Sequence, residues 1–217
     1  MRRLPIYFLI DISESMVGEP IQQVEEGLAT IIQALKTDPN AIETVWISII
    51  VFAGQAKTLV PLQEIISFYP PKFPIGSGTS LSNGLGHLMY DLRKNIVKTT
   101  AEQKGDWKPI VFLFTDGQPN TADSWQQEYK ALQETRGCKP GLFVAIGAGK
   151  EANEVMLRQI APQQTYMLAD LDAAKIRAMF EWIAESTVIA SKTLGLPGQT
   201  RGQLLPPAPP NLFALPP

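Results

Sequence analysis

Three short stretches of this sequence carry only apolar or aromatic residues: Ile6–Ile10, Ile110–Phe114 and Leu142–Ile146. A fourth run, Val45–Phe52, is longer, rich in β-branched residues and interrupted only by Ser48. A strand with one wet face alternates apolar and polar residues, so unbroken runs mean that both faces are covered. That arrangement belongs to a parallel sheet whose crossover connections lay helices on each side. The stretches between the runs supply those helices. Ile21, Val24, Leu28, Ile31, Ile32 and Leu35 fall on one helical face, with Pro20 suited to the first turn. Leu81, Leu85, Leu88, Met89, Leu92 and Ile96 make a second stripe. Ile176, Met179, Phe180 and Ile183 make a third, and residues 122–136 and 151–161 read as shorter helices.

The segment "AKTLVPLQ", residues 56–63, follows the second strand after a short Gly-containing turn. A hairpin is the shortest connection there, so an antiparallel edge strand is expected, where Pro61 is tolerable. A last short strand is expected over Thr165–Leu168. The order β-α-β-β-α-β-α-β-α-β-α predicts a Rossmann-like, doubly wound α/β sheet, mostly parallel with one antiparallel edge and helices on both faces. This domain is expected to span residues 1–194. From 195 to 217 the chain is rich in proline and almost free of charge, the composition of an extended linker or tail. Its "PPAPP" also offers the spacing of a docking segment.

Charge and cysteine content exclude several function classes. The balance of 19 basic and 21 acidic residues, a net charge of −2, offers no footprint for nucleic acid or an anionic membrane. No run approaches the roughly 18 apolar residues of a membrane span. Two arginines before Leu4–Ile10 imitate a signal peptide, but the stretch contains Pro5, ends on Asp11 and lacks a small-residue cleavage site. A single cysteine, Cys138, forbids an internal disulfide and suits a reducing, cytoplasmic compartment. It reads as a small buried thiol at the start of a strand.

The chemistry gathers at strand ends. Ligands of an open parallel sheet bind beyond the carboxyl ends of its strands. Asp11 directly follows the run Ile6–Ile10, and Asp116, in "FLFTDGQP", lies just past the run Ile110–Phe114. Two carboxylates on one rim repel each other unless a cation lies between them. The only histidine is His87 and the only cysteine Cys138, so a His/Cys zinc or copper site is excluded. Oxygen ligands suit Mg²⁺, Mn²⁺ or Ca²⁺. The Gly-rich loop "IGSGTSLSNG", residues 75–84, can bring the Thr79 hydroxyl to the same rim, with Gly76 and Gly78 permitting close approach and unusual dihedrals.

Asp11-x-Ser13-x-Ser15, then Thr79, then Thr115-Asp116-Gly117 together resemble the metal-ion-dependent adhesion site of von Willebrand factor A (VWA) domains, over roughly residues 4–192. The resemblance implies that Ser13, Ser15 and Thr79 ligate a divalent ion through their hydroxyls. It implies that Asp11 and Asp116 hold the ion largely through water. Glu14 departs from the pattern, since many members have glycine there, and a change in local charge is the expected result. Neutral hydroxyls leave much of the ion's charge uncompensated, so the site favours one more anionic oxygen, an Asp or Glu from a protein partner. Binding without bond-breaking is implied. The opening "RRLPIYFLIDISESMVGEPI" and the Trp-bearing "MFEWIAEST" resemble the bacterial tellurite-resistance, TerY-like group. That likeness implies a cytoplasmic stress-response protein working beside a protein kinase and a PP2C-type phosphatase. The alternative is a non-catalytic subunit of an AAA+ machine of chelatase type.

Other chemistries fit less well. A haloacid-dehalogenase-type phosphatase needs a second acid where Ser13 stands. "GAGKEA", residues 147–152, imitates a dinucleotide loop but lies late in the order and reads as a tight turn, and no Walker-type lysine motif exists. His87 lies beside its helix's apolar stripe and is expected to be partly exposed. Trp46 and Trp182 are expected in the core, Trp107 and Trp125 nearer the surface. Met16 and the 117–125 loop are candidates for a partner-contacting rim.

Overall fold

The computed structural model describes residues 2–116, 123–148, 152–162, 164–167, 178 and 181–189. Its six strands are β1 (Leu4–Asp11), β2 (Val45–Phe52), β3 (Ala56–Glu64), β4 (Ile110–Thr115), β5 (Leu142–Gly147) and β6 (Thr165–Met167). They form one sheet in the order β3-β2-β1-β4-β5-β6. Every pairing is parallel except β2 with β3, which run antiparallel. The fold class is therefore the one that the apolar runs predict.

The helices are α1 (Glu19–Leu35), α2 (Pro39–Thr44), α3 (Leu81–Asn95), α4 (Trp125–Glu134) and α5 (Glu154–Ile160), and residues 181–189 are also helical. Short α2 is an addition to the expected order. Its start is written in "TDPN": the Asp38 carboxylate accepts from the Ala41 N–H at 3.0 Å, and Pro39 fills the first turn.

All eight residues of β1 are buried, because the strand runs between two others and under helices on both faces. Its even-numbered side chains, Leu4, Ile6, Phe8 and Ile10, join a core with Val24, Leu28, Ile31 and Leu35 of α1 and with Trp182 and Ile183. Its odd-numbered Tyr7 and Leu9 join a second core with Leu85 and Leu88 of α3, Leu132 of α4 and Leu157 of α5. Phe8 and Phe112 stack across the β1–β4 seam, with ring centroids 5.5 Å apart. The outermost β3 carries exposed Pro61, in the edge position where a missing N–H costs nothing. Among the described residues no helix is long and apolar enough to cross a membrane.

Several expected side-chain positions change. Trp125 is buried at 5% exposure, because α4 begins there and turns the indole onto α3 and the sheet. Trp46 is only half-buried, and the Arg3 guanidinium lies 4.7 Å from its ring centre. Trp107 is half-buried, nearer the surface as expected, under the Arg2 guanidinium at 3.5 Å. Met16 is buried at 1% in the first core, so it is not a rim residue. Cys138 is fully buried, in the turn before β5 and not on the strand itself. The rim loop 117–122, Gly149–Glu151 of the glycine motif, Leu168, the Ile176, Met179 and Phe180 of the third expected stripe, and the tail 195–217 lie outside the described residues.

Candidate metal centre

Parallel register brings the first two parts of the site together. Asp11 is the last residue of β1, and the β1–β4 pairing runs Ile6↔Ile110 through Ile10↔Phe114. The next step sets Thr115 beside Asp11, and the Thr115 Oγ1 donates to Asp11 Oδ2 at 2.6 Å. The other carboxylate oxygen, Oδ1, accepts from the Ser13 N–H at 2.9 Å, which folds the chain back after the strand. A single 3₁₀ turn, Glu14–Met16, follows. It brings the Ser13 and Ser15 hydroxyl oxygens to 3.1 Å from each other.

Asp11 has no exposed surface, and Asp116 is buried at 6%. Burial pushes the Asp11 carboxyl up to about 6. Hydrogen bonds from Thr115 and Ser13 act against that rise, and the nearby Asp116 charge adds to it. Two carboxylates are thus held close enough to feel each other. The Asp116 carbonyl accepts from the Asn153 N–H at 2.9 Å, and Asn153 caps α5 through the Met156 N–H.

The third part arrives by a proline-rich strap. From the 3₁₀ turn Ile65–Ser67 after β3, residues 68–76 run along α1 to the carboxyl rim. Glu25 of α1 pins the strap, accepting from the Phe73 N–H at 2.9 Å and from Lys72 Nζ at 2.7 Å. Three backbone bonds, each 2.8 Å, then seat the loop: Gly76 N–H to Ile12, Ser80 N–H to Ala53, and Gly54 N–H to Ser77. Gly76 passes so close to Ala53 that an added Cβ would lie 2.4 Å from the alanine methyl, and Gly78 takes a positive φ of 72°. The Ser80 hydroxyl accepts from the Asn83 N–H and caps α3. Half-buried Thr79 stands between Gly78 and that cap.

One contact was not legible in the sequence. Glu14, between the two serines, turns its exposed carboxylate across to this loop, where Oε2 accepts from the Gly78 N–H at 2.9 Å. The Ser77 hydroxyl, together with the Glu14 and Gly78 backbone N–H groups, holds this carboxyl below its ordinary range. No local pattern announces a bond between residues 64 positions apart.

Asp11, Ser13, Ser15, Thr115 and Asp116 are therefore gathered at one point, and the Thr79 loop is docked beside them. The donor set fits a small, hard cation. Oxygens about 2.1 Å from an octahedral ion lie about 3.0 Å from each other, close to the 3.1 Å between the serine hydroxyls. Among the described residues no three His, Cys, Asp or Glu side chains form an alternative metal cluster. The lone His87 is engaged elsewhere: its Nε2 lies 2.8 Å from Thr58 Oγ1, which also donates to Asp91.

The sequence matches the family model described as von Willebrand factor type A domain over residues 6–181. Solved structures agree in fold. Proximal thread matrix protein 1 from the mussel byssus, with a zinc-occupied MIDAS motif, superposes with a TM-score of 0.58 at 22% identity, covering 84% of this chain and 47% of that one. The ArnB paralog VWA2 from Sulfolobus acidocaldarius gives 0.59 at 19% identity, over 86% and 45%. The pilus adhesin SpaC from Lactobacillus rhamnosus GG, in its open conformation, gives 0.64 at 16%, over 87% and 30%. In each case this chain spans less than half the length of its counterpart. No curated protein matches it.

Proposed function

The chain belongs to the von Willebrand factor type A domain family, a family of protein-interaction modules, and from that premise we propose that it captures a protein partner through a divalent cation. The paired Ser13 and Ser15 hydroxyls, 3.1 Å apart beside buried Asp11, are the observation that carries this reading. Ser13, Ser15 and Thr79 would hold the ion directly. Asp11 and Asp116 would hold its water, with Thr115 fixing the Asp11 rotamer. When bound, the cation supplies positive charge that three neutral hydroxyls leave largely uncompensated, a fit for one Asp or Glu of a partner.

Mg²⁺ is the ion best matched to the hydroxyl spacing, with Mn²⁺ close in size and Ca²⁺ needing a wider shell. Exposed aliphatic residues beside the site, Val17 at 47% and Ile75 at 71%, give a partner apolar surface around its acid. We read the protein as non-catalytic, a scaffold or adaptor, because the Ser13 and Ser15 hydroxyls have no histidine base while His87 is bonded to Thr58. On its resemblance to the TerY-like group, the reading extends to a cytoplasmic bacterial stress-response system containing a kinase and a PP2C-type phosphatase.

Affinity capture tests this, using the chain as bait with Mg²⁺ or with excess EDTA. Partner should be retained with Mg²⁺ and released by EDTA. Asp11→Ala and Thr79→Ala should lose capture while still unfolding cooperatively. Equal capture by wild type and both variants in EDTA would overturn the proposal. Recovery of an AAA+ ATPase in place of kinase or phosphatase would move the adaptor to a different machine.

A further inference from the structure

We propose that Glu14 is a positioning residue that fastens the Thr79 loop to the Ser13–Ser15 turn, so that the three hydroxyl-bearing residues are set before any cation arrives. Glu14 occupies the one position between the two serines, and its carboxylate accepts from the N–H of the residue immediately before Thr79. The bond therefore joins the two separate segments of the site at the point where their hydroxyls must converge. Gly78, at a φ of 72°, presents its N–H from a backbone shape that other residues avoid.

The flanking bonds hold less directly. Gly76, Ser77 and Ser80 are anchored to Ile12, Gly54 and Ala53. Ala53 and Gly54 lie just past β2, and Ile12 lies between β1 and the 3₁₀ turn, with its own N–H bonded to the Phe52 carbonyl, so none of these bonds reaches the Glu14–Met16 turn itself. Loops of this kind open locally at small free-energy cost unless pinned. A cation binding to splayed loops must order them first and loses affinity accordingly, whereas a loop fastened in advance removes that loss. Glu14 bridges the two segments from within the chain, as a shared ion would bridge them through coordination.

Two measurements on the full chain separate this from the metal reading on which its second half rests. The first is amide hydrogen exchange of residues 76–80 in EDTA, for wild type, Glu14→Ala and Glu14→Gln. Alanine should speed exchange in this loop by about tenfold. Glutamine keeps an acceptor oxygen without the charge and should restore most of the protection. The second is calorimetric titration with Mg²⁺ alone, where the alanine variant should bind about tenfold more weakly and the glutamine variant close to wild type. Unchanged loop exchange in Glu14→Ala overturns the proposal. So does a Glu14→Gln variant as unprotected as alanine, since net charge and not an acceptor would then be at work. If wild type binds no Mg²⁺, the metal reading fails, while the exchange arm still decides the role of Glu14.

Discussion

At the scale of single residues, Asp11 carries the clearest pH signature. An aspartate in the unfolded chain titrates near 3.8, whereas folded and metal-free Asp11 titrates near 6. Between those values the folded protein keeps a proton that the unfolded chain has lost. Stability therefore falls as pH rises from about 4 to about 6, and it stays lower above. At about 1.4 kcal/mol per pH unit the full difference is about 3 kcal/mol. In EDTA, Asp11→Asn should match wild type near pH 4 and melt at a higher temperature at pH 7. The opposite trend in paired thermal scans would contradict the burial account. Metal binding should also weaken as pH falls through about 6, since a protonated Asp11 no longer offers the charge that would hold the ion's water. A second residue-scale expectation concerns Ser13→Asp: a carboxylate added to the donor set should tighten Mg²⁺ in calorimetry yet weaken partner capture, by consuming the charge that the partner's acid needs.

The composition of this site was legible because its parts are local. Asp11, Ser13 and Ser15 lie within five residues, and Thr115-Asp116 follows an unbroken apolar run. The Glu14–Gly78 bond was not legible, since it depends on where a strap of proline-rich chain lands. Met16 misled for a related reason. Its place after two serines suggests a surface loop, but the 3₁₀ turn rotates the side chain inward onto α1 and the sheet.

Elements show the same division. The central strands could be read because two buried faces remove alternation, β3 from the short turn before it, and the helices because one stripe recurs at helical spacing. The strap and α2 have neither signal. Within α3, two glycines make opposite predictions. A Cβ on Gly84 would sit 2.9 Å from Cγ of buried Phe52. Overpacking of that kind costs about 1–3 kcal/mol, more than the roughly 1 kcal/mol that alanine gains in a helix. A Cβ on Gly86 meets only Glu128 Oε2 at 3.5 Å, an ordinary contact. Gly84→Ala should therefore lower the urea midpoint, and Gly86→Ala should raise it by up to about 1 kcal/mol in stability.

At the scale of the whole molecule, one sheet is the shared wall of two cores. Phe112 fills the α1 side and Leu88 of α3 the other, both without exposed surface. Removing either should weaken a single transition and not melt one face alone. Phe112→Ala should cost about 3–5 kcal/mol and Leu88→Ala about 2–5 kcal/mol. Far-ultraviolet dichroism and tryptophan fluorescence should report coincident unfolding curves for both variants. Separated curves would mean that the faces unfold independently. The central place of β1 has a further consequence during translation. Its second neighbour, β4, begins about 100 residues later, which at ~5–20 residues per second means a delay of ~5–20 s on the ribosome. Through that interval the nascent chain holds "IYFLI" with at least one flank unpaired, a natural client for a chaperone.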